Sequence, residues 1–227
     1  MSKKLYALLA VLILTCSAFY ACGDDDNNNN YSMSPEWIAF NDSIYSAVSD
    51  SSKLNNSISP DPLLYQSLDC LTKNGKIHYK TINEFVITPP PTGRFSEISP
   101  KISEDGYPYS NDSVVVRYEG WYYYKDTKTG EIKKYIFDST EENNQQKGVG
   151  FKVNGLTAGF STMIQYMKVG EQVRVCIPYN LAYGEYTSYS SSGSLIMYGH
   201  TTLFFKILLL KIYPVNPDEF PGVDTGQ

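Results

Sequence analysis

The side chains that would mark this chain as a hydrolase or a metalloenzyme are missing or badly placed. His78 and His200 are far from each other and from any Cys or carboxylate at ligand spacing, so a metal site is not expected. No Gly-x-Ser-x-Gly and no Cys/His set offers a nucleophile. Gly148-Val149-Gly150 lacks the strand–helix context of a dinucleotide loop, and Asp24–Asp26 reads as solvated chain rather than a calcium site. The sequence offers aromatic rings instead: twenty tyrosines and ten phenylalanines, residue types that favour strands and aromatic-lined surfaces. Four positions stand out: Tyr118 in Val-x-Tyr-x-Gly, Phe137 followed by Asp138, Tyr183 in Ala-Tyr-Gly, and Phe205 in an apolar run. Taken singly, Tyr118, Phe137 and Phe205 are core aromatics of any sheet. Asp138 in Asp-Ser-Thr would cap a turn, and Tyr183 beside Gly184 would pack a loop.

The element that must position them is the stretch Phe151–Gly184, which reads as strand, short helix, turn, strand and loop. Leu156, Phe160, Ile164 and Met167 recur at helical spacing, Gly159 lies just inside the helix, and Gly170 stands where a left-handed cap would follow. Alternation returns over Gln172–Ile177. One helix between strands needs a sheet to cover, which predicts a bent antiparallel sheet packed on it with a pocket between. Strands are expected over Ser113–Tyr124 and Ile132–Asp138, joined by a turn at Thr127–Glu131. Leu203–Tyr213 is apolar enough to be central in the sheet. His200 leads into that last strand.

Composition bounds the rest. The chain has 227 residues and a formal charge of −5, which argues against nucleic acid as a partner. Lys3 and Lys4 precede an apolar run, Leu5–Phe19, too short for a membrane span and right for a signal peptide. Tyr20-Ala21-Cys22 ends it, a pattern that resembles a bacterial lipoprotein signal with Cys22 as the lipidated first residue. The alternative is an ordinary secretory signal with a chance cysteine. Loss of residues 1–21 removes two lysines and no acid, so 17 cations face 24 acids, a formal −7. Residues 22–33 are a polar tether. In the relatives of such lipoproteins, acids just after the cysteine can mark export to the outer surface. The expected location is the cell envelope, lipid-anchored to the outer membrane and facing periplasm or surface. Of the cysteines, Cys70 and Cys176 remain; they either pair or, as Cys176 in its alternating strand favours, stay as thiols.

Residues 34–92 form an N-terminal extension. Ser34-Pro35-Glu36 starts a helix, with Trp37, Phe40, Ile44, Ala47 and Val48 on its apolar face. A second short helix is expected at Pro62–Leu71 through Leu63, Leu64 and Leu68, then a turn at Asn74-Gly75 and a strand over Lys76–Ile87. The extension could cap the domain, form a dimerisation arm or pad the fold. Thr88–Gly93 is proline punctuation. The main domain follows at 93–214, with a disordered tail at 215–227.

VRYEGWY, YIFDST, FKVNGLTAGFSTMIQYMKVGEQ, CIPYNLAYGE and TTLFFKILLLKI together resemble, in order, the FKBP-type peptidyl-prolyl cis–trans isomerases. The likeness covers roughly Ser103–Tyr213. It implies an α+β fold: a twisted antiparallel sheet wrapped on one short helix, here with an N-terminal helical extension. It also implies a prolyl-isomerase site of Tyr118, Phe137, Asp138, Thr157, Phe160, Tyr183 and Phe205. Phe160 stands where most members carry a tryptophan floor. Thr157 would present the backbone N–H that grips the substrate carbonyl, with the Tyr183 hydroxyl beside it. Leu156, Phe151 (or, in another register, Val149), Ile196 and Met197 would line the substrate. The loop Glu185–Gly199 is long and Ser/Tyr-rich where the family has an Ile-Pro turn.

No cofactor, metal or acid–base pair is needed, because catalysis consists of easing rotation about an amide. The expected partners are proline-containing polypeptides and, through Cys22, a membrane; oligomeric state stays open. Two readings follow. One is an envelope prolyl isomerase assisting the folding of exported proteins. The other is an FKBP-like binding or structural lipoprotein of weak or absent activity, which the changes at Thr157 and Phe160 would favour.

Overall fold

The structure, a computed structural model, describes residues 34–50, 65–85, 106–141, 147–189 and 195–215. The signal segment, Cys22, the tether, Leu63, Leu64, the proline punctuation and the tail beyond 215 lie outside them, as does the side chain of Ile196.

Helix α1 spans Pro35–Ser49. The Ser34 hydroxyl accepts a hydrogen bond from Trp37 N–H at 3.2 Å, and proline occupies the first turn, where a missing N–H costs nothing. Strands β1 (Gln66–Asp69) and β2 (Lys76–Thr81) follow as a hairpin. Then come β3 (Ser113–Lys125), β4 (Ile132–Ser139), β5 (Val149–Lys152), helix α2 (Ala158–Gln165) and β6 (Gln172–Ile177). A small hairpin of β7 (Ser188–Tyr189) and β8 (Leu195–Met197) precedes β9 (Leu203–Tyr213). The main sheet is antiparallel in the order β1-β2-β6-β9-β3-β4, and β5 pairs with the first half of β3. This is the α+β arrangement that the sequence predicts.

The alternation of side chains assigns each face of the sheet a different cover. Val114, Val116, Tyr118, Val173, Val175, Ile177, Leu203, Phe205 and Ile207 turn to the front, where they meet Phe160, Met163, Ile164 and Met167. Trp121, Cys176 and Phe204 turn to the back and pack on Ile44 and Val48 of α1. The extension therefore supplies the outer two strands at one end of the sheet and the lid of the rear face. Gly159 allows α2 to come this close, since a Cβ there would lie 2.4 Å from Ile177 Cγ2.

Several expectations need correction. Residues 66–69 form a strand, not part of a helix over Pro62–Leu71. So short a helix has little to offset its nucleation cost, whereas β2 offers a ready edge. Tyr65 packs into the rear cluster and Leu68 against the front one. The strand expected to reach Ile87 stops at Thr81. Beyond it, the Gln172 side-chain oxygen accepts the N–H groups of Glu84 and Phe85 at 2.9 and 2.8 Å and draws that segment out of the ladder. Helix α2 covers eight residues, so Leu156 and Met167 flank it while still packing on the core. Gly170 has φ +89 but sits in a turn after the helix, its N–H donating to the Leu209 carbonyl at 2.8 Å rather than capping α2. By contrast, the reading of Cys70 and Cys176 as thiols needs no correction, since the two are not joined in a disulfide. Cys70 packs on the front cluster beside Thr162 and Cys176 lies in the rear cluster, so the sheet separates them.

Candidate functional site

Phe137 and Asp138 are neighbours in β4 and should point to opposite faces of the sheet. A bulge changes this. Gly120 pairs with Asp138 and Trp121 with Ile136, leaving Phe137 as the extra residue. Ile136 packs with the rear cluster, while Phe137 turns to the front. The Asp138 carboxylate accepts a hydrogen bond from the Tyr118 hydroxyl. Burial, and then the charge and hydrogen bond of Asp138, hold the Tyr118 phenol well above its ordinary pKa, with the Tyr183 hydroxyl adding to the effect. The phenol thus stays protonated and serves as a donor.

The rings converge on Phe205. Phe160 meets it edge-on with centroids 4.9 Å apart, and Phe137 meets it edge-on at 5.7 Å. Tyr118 lies 6.5 Å from Phe205, 6.2 Å from Phe160 and 6.0 Å from Phe151. Edge-to-face contacts at these distances are favoured by the ring quadrupoles. Phe160 and Phe205 are each 5 % exposed and form a floor, while Phe137, Phe151, Leu156 and Tyr183 are half-buried at its sides. Phe151, not Val149, joins this cluster.

Thr157 is the residue before α2. Its carbonyl accepts from Ser161 N–H at 2.8 Å, and among the described residues its own N–H makes no backbone hydrogen bond. Met197 is buried against the same cluster. The structure thus brings together Tyr118, Phe137, Asp138, Phe151, Phe160 and Phe205, with Leu156, Thr157, Tyr183 and Met197 around them.

Two contributors were not singled out from the sequence. Gly120 lies beneath the rings: a Cβ there would sit 2.7 Å from Phe137 Cζ and 2.7 Å from Phe205 Cε1. In the sequence it appeared only as the last residue of the Val-x-Tyr-x-Gly pattern around Tyr118. Tyr122 stacks on Phe137 with centroids 6.5 Å apart. Burial, and then the hydroxyls of Tyr135, Tyr198 and Tyr124, push its pKa up to about 12.

A cleft of about 300 Å³ lies elsewhere, between α1, the β1–β2 turn and the loop after β6, lined by Asp42, Tyr45, Lys76 and Tyr179 among others. It is open and has no cluster of convergent catalytic groups, so the aromatic cluster is the better candidate site.

Residues 105–210 match the family described as FKBP-type peptidyl-prolyl cis-trans isomerase. That match spans just under half of the chain and contains the aromatic cluster. No curated protein matches the chain. Among solved structures it is similar to a peptidyl-prolyl cis-trans isomerase from Pseudomonas syringae pv. tomato, at 18 % identity and a TM-score of 0.45 over 77 % of this chain and 94 % of that one. It is also similar to FkpA from Escherichia coli, at 18 % identity and a TM-score of 0.43 over 78 % of this chain and 64 % of that one.

Within this matched region, Gly120→Ala should force Phe137 and Phe205 apart. The expected cost is about 1–3 kcal/mol, the usual range for an overpacked core, read as a lower urea midpoint at unchanged slope. A midpoint equal to that of the wild type would mean that the rings are not as close as described.

Proposed function

We propose that this chain is a peptidyl-prolyl cis–trans isomerase that is held at the cell envelope by lipid on Cys22 and assists the folding of exported proteins. The observation that carries the reading is the convergence of Tyr118, Phe137, Phe151, Phe160 and Phe205 in one aromatic cluster with Asp138 at its side. The family match at residues 105–210 supports the same chemistry.

Rotation about a peptide bond faces a barrier of about 18–20 kcal/mol from amide resonance, and about 1.4 kcal/mol off that barrier speeds it tenfold. A prolyl ring resting on Phe160 and Phe205 and flanked by Phe137 leaves water. A planar amide, whose charge separation water stabilises, loses more by this than the twisted one. The Thr157 N–H and the Tyr183 hydroxyl hold the carbonyl of the preceding residue while the bond turns. Tyr118, kept protonated by burial, orients the Asp138 carboxylate beside the pocket. No proton changes hands. Phe160 offers a smaller floor than tryptophan, yet its packing on Phe205 and Tyr118 keeps that floor closed. The change of side chain at Thr157 leaves its backbone donor in place.

Protein from residue 31 onward, made without lipid, should speed X–Pro isomerisation in short peptides. Phe137→Ala should lower kcat/KM at least tenfold. A wild-type rate no faster than the spontaneous one, across several residues before the proline, would overturn the reading. In cells, Cys22→Ser should release the protein from the membrane fraction; continued partitioning into membranes would contradict the lipid anchor.

A further inference from the structure

The aromatic rings do not end at the pocket. Tyr122, stacked on Phe137, is met edge-on by Trp37 at 6.1 Å and lies 5.2 Å from Tyr135. Trp37 also packs on Tyr198 at 5.4 Å. These four residues come from α1, β3, β4 and the segment after β8. Tyr135 is 50 % and Tyr198 42 % exposed, so the group forms an open aromatic face beside the pocket rather than a closed core.

The face is built rigidly. Trp37 Nε1–H donates to the Gly199 carbonyl at 3.0 Å. One turn along α1, the Asn41 side-chain oxygen accepts Thr202 N–H at 2.8 Å, and the Asp42 carboxylate lies 3.0 Å from His200 Nε2. The segment 199–202, which leads into Phe205, is thus fastened to α1 at three points. An exposed aromatic patch held this firmly is the type of surface that binds: tyrosine and tryptophan give large apolar contact at little cost in side-chain entropy. Its continuity with the pocket points to the occupant. Ring separations of 5.7 and 6.5 Å lead from Phe205 through Phe137 to Tyr122. An extended peptide covers such a span in about three or four residues at ~3.3 Å each.

We propose that Trp37, Tyr122, Tyr135 and Tyr198 form a second aromatic subsite, contiguous with the proline pocket, that takes a bulky apolar or aromatic side chain two to four residues from the substrate proline. The proposal rests on the prolyl-isomerase reading. It gives the N-terminal helix a part in substrate choice, since Trp37 is one wall of the subsite.

The test uses pairs of peptides that differ only by Ala or Phe at each position two to four residues from the proline, on either side. Both kcat/KM and the calorimetric Kd are measured. At one or more positions the Phe peptide should exceed its Ala partner at least fivefold in kcat/KM, mainly through KM. Trp37→Ala should reduce that ratio to within twofold of unity. Tyr135→Ala, at a half-exposed site where folding is not at risk, should at least halve it. A flat ratio at every position in an active wild-type protein overturns the subsite and leaves the isomerase standing. If no peptide is isomerised, a Phe preference in Kd that Trp37→Ala abolishes keeps the subsite while the isomerase reading fails, and a flat Kd ends both. A dimer at assay concentration that Trp37→Ala dissolves would assign the face to a second copy and overturn the subsite.

Discussion

A Cβ at position 120 would lie 2.7 Å from Phe137 Cζ and from Phe205 Cε1, closer than carbon atoms approach without displacement. The empty space over Gly120 is what lets two strands on opposite edges of β3 send their rings to one point. The geometry around it follows. The bulge opposite Gly120 and Trp121 turns Phe137 and Asp138 to the same face. Phe205 pairs directly with Gly120, and Phe160 closes on it from the first turn of α2. Tyr118, two residues before Gly120 on the same face, completes the ring set and holds Asp138. A larger residue at 120 would move every one of these contacts.

The second constraint is the rear of the sheet. The alternation that sends Val175 and Phe205 forward sends Cys176 and Phe204 backward, and a two-faced apolar sheet needs cover on both sides. Helix α1 provides it through Ile44 and Val48, and the β1–β2 hairpin extends the sheet past β6. Once docked, α1 also places Trp37 of its first turn against Tyr122 and Tyr198. Packing on the rear face therefore also fixes where Trp37 stands beside Tyr122, the neighbour of Phe137.

Much of this was legible in the sequence because it rests on local pattern. The stretch Leu203–Tyr213 was apolar enough to be a central strand, and it forms β9 with those bounds. The proline after Ser34 and the spacing of Ile44 and Val48 gave α1 its start and its buried side. The aromatic positions of the candidate site came from motif order, and the structure brings five of them together, with Asp138 beside them. What the sequence hid depends on pairing. Gln66–Asp69 has no strong preference of its own, and only the exposed edge of β2 makes it a strand. The turning of Phe137 beside Asp138 depends on register, and a register shift leaves no mark on composition. Trp37 looked like one more apolar residue on a helix; its meeting with Tyr198 bridges 161 positions of chain and is set by docking alone.

The most direct measurement is a crystal structure of the lipid-free protein with a short X–Pro peptide. The account predicts the prolyl ring against Phe160 and Phe205, flanked by Phe137, with the carbonyl of the preceding residue within about 3.2 Å of the Thr157 nitrogen. A peptide seated elsewhere, or one whose proline stays in solvent while other residues occupy the rings, would contradict it.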